Sequence, residues 1–258
     1  MNVNVKFTEF QLIRRPWKLC VDSPSPMNIE PFKHLLRKIR FPQRPSLVTG
    51  PLSLTGVPEG FKFWNGKTEL SAQVGLSLSW QCQGEWKDCS AFKSRTVFWN
   101  RERFQIEKKH PQDSFQILFD FQIRDPLGFE VTLTVTTDPR IEKLKITLFL
   151  HTQYKNWVAG LQEGSFPRHG AWISVGLPDP KCKRIGAYSH SLDFLPLLFS
   201  FENATHTIEN GDAQTEARVL CAEYPAILPS EMKYRGRISF FENTSSFWDR
   251  LQAGRSSF

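Results

Sequence analysis

The chain has 258 residues, with 33 Lys and Arg against 26 Asp and Glu, for a net charge of +7. An apolar fraction of 40% and a charged fraction of 23% exclude a collagen, a coiled-coil rod and a largely disordered chain. The longest apolar run, 194–201, has strand length and contains Pro196, so no membrane span is expected. Lys6, Glu9, Arg14 and Arg15 interrupt any apolar secretory segment at the N-terminus, which predicts an intracellular location, cytoplasmic or nuclear.

The basic excess is local. Residues 1–50 carry Lys6, Arg14, Arg15, Lys18, Lys33, Arg37, Lys38, Arg40 and Arg44 against Glu9, Asp22 and Glu30, which leaves the remainder close to neutral. Val3, Val5 and Phe7 alternate with Asn4, Lys6 and Thr8, a period-2 strand signal. Ser23-Pro24-Ser25-Pro26 then reads as an extended linker. Over 30–41 the spacing of Phe32, Leu35, Leu36 and Ile39 predicts a short amphipathic helix. Pro31 suits its first turn, Lys33, Arg37 and Arg40 occupy another face, and Pro42 stops it. Residues 42–60, rich in Pro and Gly, read as an irregular connection.

The body is predicted to be mainly β. Phe is used 22 times and Trp 8 times but Tyr only 4 times, and such aromatic enrichment favours strands. Phe115, Ile117, Phe119, Phe121 and Ile123 alternate with polar residues, and Asp125-Pro126-Leu127-Gly128 supplies a turn. Phe129, Val131, Leu133 and Val135 form a return strand, and Leu144, Ile146, Leu148 and Leu150 a third. Three such strands predict an antiparallel meander with one buried and one wet face. Further strand candidates are 71–80, 97–99, 104–107, 171–177, 192–201, 218–222 and 237–241. The fold expected is an antiparallel β-sandwich or barrel with a short basic N-terminal helix. Its organisation is an arm over 1–59, a β body over 60–245 and a C-terminal tail over 246–258.

Five scattered cysteines (Cys20, Cys82, Cys89, Cys182, Cys221) make neither a disulfide framework nor a zinc ribbon. No phosphate-binding loop, dinucleotide fingerprint, nucleophile elbow or His-Glu-x-x-His occurs, and neither a cofactor nor a metal is expected. His169, Asp179, Cys182 and His190 lie close in sequence but match no common zinc spacing, and a Cys–His pair backed by Asp193 has only proximity in sequence behind it. Trp64 and Trp86, beside turn signals, are the members of the aromatic run over 61–99 expected at the surface.

The function expected is binding rather than catalysis. Arg14, Arg15, Lys18, Lys33, Arg37, Lys38, Arg40 and Arg44 could contact phosphates while Trp17 stacks on a base, pointing to RNA or single-stranded nucleic acid. One alternative is a protein-interaction or assembly subunit whose N-terminal helix docks on a neighbouring chain. A second is a metal-dependent phosphodiesterase using Asp120, Glu130 and Lys145, or the Glu107-Lys108-Lys109 segment.

Overall fold

The computed structural model describes residues 45–110, 115–137, 140–160, 162–168, 171–175, 182–227 and 230–253. The expected basic helix over 30–41, the strand near the N-terminus and the candidate contacts Arg14, Arg15, Trp17, Lys18, Lys33, Arg37, Lys38, Arg40 and Arg44 lie outside these residues.

Two antiparallel sheets make a sandwich. The first runs in spatial order β1 (Ser46–Thr49), β2 (Leu52–Val57), β3 (Gly60–Asn65), β5 (Ser71–Cys82), β11 (Lys143–Leu150), β18 (Arg218–Tyr224), β17 (Thr205–Asn210) and β14 (Ile173–Ser174). Short strands β4 (Thr68–Glu69) and β6 (Glu85–Asp88) pair with β3 and β5. The second sheet runs β13 (Gln162–Ser165), β12 (Asn156–Ala159), β15 (Ile185–Tyr188), β16 (Leu197–Phe201), β19 (Ser230–Phe240), β10 (Gly128–Thr137), β9 (Phe115–Asp125), β8 (Arg103–Lys109) and β7 (Lys93–Trp99). Of the two architectures expected, the sandwich is the one observed. Residues 46–57, read as part of an irregular connection, form β1 and β2. Their Leu47, Leu52 and Leu54 point into the core at single spacings that the surrounding Pro and Gly obscure.

The predicted hairpin β9–β10 forms, turning through Pro126-Leu127. The predicted third strand does not join it. β11 crosses to the first sheet, between β5 and β18, and the second neighbour of β10 is β19. Every strand of a sandwich buries one face, so alternation of apolar residues says which side of a strand is inward but not which sheet holds it.

The phenylalanines fill the space between the sheets. From β3, the Phe61 ring lies 4.8 Å from Phe119 and 4.6 Å from Phe121 of the opposite sheet. Phe63 meets Phe129 at 5.8 Å and Phe240 at 5.7 Å, and Trp80 meets Phe115 at 4.4 Å. Tilted ring pairs at these separations add specific packing to the area they bury. Gly75 is required where β5 crosses β3. Its φ is +70°, and a Cβ there would collide with the carbonyl of Phe61.

Among the described residues the one α-helix is α1 (Thr244–Ala253), close to the C-terminus. Asn243 caps it, its side-chain oxygen accepting from the Ser246 N–H at 2.9 Å. Phe247 and Leu251 seat on Val158 of β12 and Leu198 of β16. That contact covers one end of the outer face of the second sheet.

Candidate functional site

Beyond α1, the outer face of the second sheet is polar, and strand register sets its side chains in rows. Ser200, Arg237, Glu130, Gln122 and Arg103 form one row across β16, β19, β10, β9 and β8. Arg235, Thr132, Asp120, Gln105 and Phe98 form the next, from β19 to β7. Residues two apart on a strand share a face, so the alternation that buries Val131 and Phe121 also aims these polar neighbours outward.

Where the rows meet the 182–184 and 202–205 loops, a cleft of about 700 Å³ opens, lined by Arg124, Glu130, Lys183, Arg184, Ser200, Glu202, Asn203, Thr205, Arg235 and Arg237. The lining is dominated by basic and hydroxyl or amide groups, with Glu130 and Glu202 as its carboxylates. A β-bulge places Arg124 here. Asp125 pairs with Gly128 and Ile123 with Phe129, leaving Arg124 as the extra residue, and such bulges re-aim a side chain. Its Nε donates to Glu130 Oε2 at 2.7 Å. Arg237 pairs with Asp125, and its Nε donates to Ser239 Oγ at 3.0 Å. Burial, and then the neighbouring Arg250, lower the pKa of Arg237.

The wall carrying Lys183 and Arg184 is held from behind by His206, which is 4% exposed. The His206 Nε2 accepts from the Phe201 N–H at 3.1 Å, and its Nδ1 lies 3.1 Å from the Cys182 carbonyl. Together these contacts define a neutral ring with its proton on Nδ1. Burial lowers the pKa of His206, the Cys182 carbonyl offsetting part of the effect.

Beside the cleft, Arg103 donates to both oxygens of Asp120. Burial of Asp120 would raise its pKa, but hydrogen bonds from Arg103, Gln105 and Gln122, with the charge of Arg103, carry it below the usual carboxylate value.

Solved structures of similar shape include carbohydrate-active proteins. A protein assigned as an aldose 1-epimerase from Escherichia coli K12 superposes with a TM-score of 0.53 at 13% identity, over 76% of this chain and 98% of that one. The α-N-acetylgalactosaminidase NagBb from Bifidobacterium bifidum gives 0.56 at 9% identity, over 82% of this chain and 38% of that one. Heparan sulfate lyase HepC from Pedobacter heparinus gives 0.50 at 9%, over 74% of this chain and 33% of that one. The chain shares its β-sandwich fold with these enzymes. It spans nearly all of the first, 38% of the second and a third of the last. No protein-family model and no curated protein sequence matches it.

These likenesses overturn the expectation of an RNA- or single-strand-binding protein, because the fold's neighbours process sugars. The inference had rested on the charge of residues 1–50, and a cluster of positive charge reports an anionic partner without saying which polymer carries it. The assembly-subunit alternative rested on the same segment, which lies outside the described residues, and the described structure gives it no support.

The phosphodiesterase constellation is not assembled. Asp120 and Glu130 share the outer face of the second sheet, but Lys145 belongs to the first, where it pairs with Glu209 at 2.9 Å. Glu209 also accepts from the Trp172 Nε1 at 2.7 Å. Lys108 is wholly buried, donating to the carbonyls of Val57 at 3.2 Å and Pro58 at 2.7 Å with its ammonium 5.3 Å from the Phe61 ring centre. Among the described residues no three His, Cys, Asp or Glu side chains group as a metal site.

His169 and Asp179 lie outside the described residues, and His190 is exposed against Tyr188. The histidine that meets Cys182 is His206, through the backbone carbonyl. Cys82, Cys89, Cys182 and Cys221 form no disulfide with one another, and burial pushes the Cys89 and Cys221 thiols up to about 12. Of the aromatic run, Phe61, Phe63, Trp80 and Phe92 are core, whereas Trp86, Phe98 and Trp99 are exposed. Trp64 is half-buried. No helix of the described residues is long and apolar enough to cross a membrane.

Proposed function

We propose that the protein acts on carbohydrate and binds it in the cleft on the outer face of the second sheet. The observation that carries this reading is the cleft's lining, in which Ser200, Asn203 and Thr205 stand among Arg124, Arg235, Arg237, Glu130 and Glu202 on a fold shared with the three sugar-related proteins above. Saccharide hydroxyls both donate and accept, so they are met by side chains of both kinds in fixed positions. The Arg124–Glu130 and Arg237–Asp125 pairs supply such positions because each holds its long side chain in one place.

Reaction at an anomeric centre needs a group that takes a proton and one that gives it. Glu130 and Glu202 are the carboxylates offered by the cleft, on β10 and on the loop after β16. The experiment is to incubate the full chain with a panel of reducing sugars and oligosaccharides and follow anomeric proton signals by NMR. Accelerated anomer exchange or cleavage that Glu130→Gln abolishes, with the variant still folded, supports the reading. No binding and no turnover across neutral and acidic saccharides would defeat it.

A further inference from the structure

The polar face does not end at the cleft. Its rows continue through Gln122, Gln105 and the Arg103–Asp120 pair to the edge strand β7, where Phe98 is 43% exposed. Phe98 faces outward because Val97 is a bulge residue. Thr96 pairs with Ile106 but Phe98 pairs with Gln105, so the strand slips by one and turns an aromatic ring onto the polar side. The Arg103 guanidinium packs over that ring, 5.9 Å from its centre. An exposed aromatic fixed by an ion-paired arginine is a flat apolar platform rimmed by hydrogen-bonding groups. That is the chemistry that receives the C–H face of a pyranose while its hydroxyls reach polar neighbours.

Strands about 4.8 Å apart put four steps, about 19 Å, between Arg237 on β19 and Phe98 on β7. One sugar ring cannot bridge that distance, whereas a chain lying across the strands can. Positive charge runs along the way, with Arg124, Arg235 and Arg237 at the cleft end and Arg95 and Arg103 at the edge. The acidic residues of the face are matched one for one by these arginines, Glu107 by Arg95, Asp120 by Arg103, Glu130 by Arg124 and Asp125 by Arg237, and the cleft adds Arg235, Lys183 and Arg184 against Glu202. The exposed balance favours an anionic ligand.

We propose that the face binds an anionic oligosaccharide laid across the strands, with its charged substituents on the cleft arginines and a distal sugar stacked on Phe98. This rests on the carbohydrate reading above and extends it to the length and charge of the ligand. The charged substituent is a sulfate or a carboxylate, both of which accept paired hydrogen bonds from guanidinium groups.

The test is calorimetric titration of the full chain with a heparin disaccharide, a heparin hexasaccharide, a galacturonate hexamer and neutral maltohexaose. Variants Phe98→Ala and, as an exposed aromatic of the first sheet, Trp86→Ala are compared after a check of folding. The expected result is that an anionic hexamer binds more tightly than both the disaccharide and maltohexaose. Phe98→Ala then weakens the anionic hexamer about five- to tenfold, the size of one aromatic contact, with the disaccharide and Trp86→Ala unchanged. Preference for heparin assigns sulfate and preference for galacturonate assigns carboxylate, and either supports the proposal. Equal loss for disaccharide and hexamer, no loss with Phe98→Ala, or maltohexaose binding as tightly as the anions overturns it while leaving the carbohydrate reading intact. No binding of any saccharide overturns both.

Discussion

Arg103 grips Asp120 through two parallel hydrogen bonds, Nε to Oδ1 at 2.9 Å and Nη2 to Oδ2 at 2.7 Å. The two are diagonal neighbours, since Arg103 pairs in register with Gln122 and Asp120 with Gln105. Diagonal pairs lie within reach of a long side chain, and this one fixes the guanidinium that lies 5.9 Å from the Phe98 ring centre. Asp120 is the more buried partner, its side chain 12% exposed against 43% for Arg103.

Asp120→Asn should therefore cost about 1–2 kcal/mol of stability at neutral pH, toward the low end because Arg103 is partly screened by water. The folded-state pKa of Asp120 lies below its unfolded value. Its contribution is then full above the ordinary carboxylate value and lost as pH falls through the folded one. Denaturation curves of the two proteins should stand apart at pH 7 and converge toward pH 3. Parallel curves at every pH would show that the charge plays no part.

His206 gives the cleft wall a pH dependence of its own. Burial lowers its folded-state pKa below the ordinary imidazole value of about 6.5, so the unfolded chain binds the extra proton first. Stability must then fall as pH drops from about 6.5 to the folded value, and level off below it. Protonation also removes the acceptor for the Phe201 N–H, one of the two contacts that hold the ring behind the Lys183–Arg184 wall. The wild-type thermal midpoint should fall more than that of His206→Gln between pH 7 and pH 5, and saccharide affinity should weaken over the same window. Equal falls in the two proteins would assign the transition to other groups.

Lys108 is the counter-case of a charge taken wholly out of water. Burial lowers its pKa, with Cys89 and then Glu59 acting the other way. The unfolded chain holds its proton longer as pH rises, so Lys108 destabilises the fold at neutral pH and progressively less above it. Lys108→Met keeps the volume and removes the charge. It should leave stability unchanged or raise it by about 1 kcal/mol at pH 7, and the advantage over wild type should shrink as pH rises toward the ordinary lysine value of about 10.4. Loss of several kcal/mol would instead mean that the bonds to the Val57 and Pro58 carbonyls outweigh desolvation.

Gly75→Ala tests the crossing of β3 and β5. A side chain there meets both a left-handed backbone and the Phe61 carbonyl, and should cost more than about 2 kcal/mol. Gly66 has a positive φ as well but open space around it, so Gly66→Ala should cost less. Equal losses would leave backbone conformation, not close approach, as the cause.

How much of this was legible depended on whether information was local. The β9–β10 hairpin was readable because its alternation and its Pro126-containing turn are contiguous. The placement of β11 was not, because inward alternation is the same in either sheet. The cleft was least legible of all. Arg124, Ser200 and Arg237 come from three distant segments and meet only through register. Phe98 is aimed outward by a bulge at Val97 that no composition rule marks. Asp120 and Glu130 did stand out as polar residues of one sheet face, but pairing them with Lys145 failed because that lysine rides on the strand that changes sheets. His206 carries no motif, and its signal is a neutral ring held between the Phe201 amide and the Cys182 carbonyl.

The most direct measurement is hydrogen–deuterium exchange of the full chain with and without a saturating anionic hexasaccharide. Binding on the outer face of the second sheet predicts added protection in β10, β16, β19 and the 182–184 loop, with β11, β17 and β18 of the first sheet unchanged. Protection confined to the first sheet, or none at a concentration where the hexasaccharide saturates, would contradict the account.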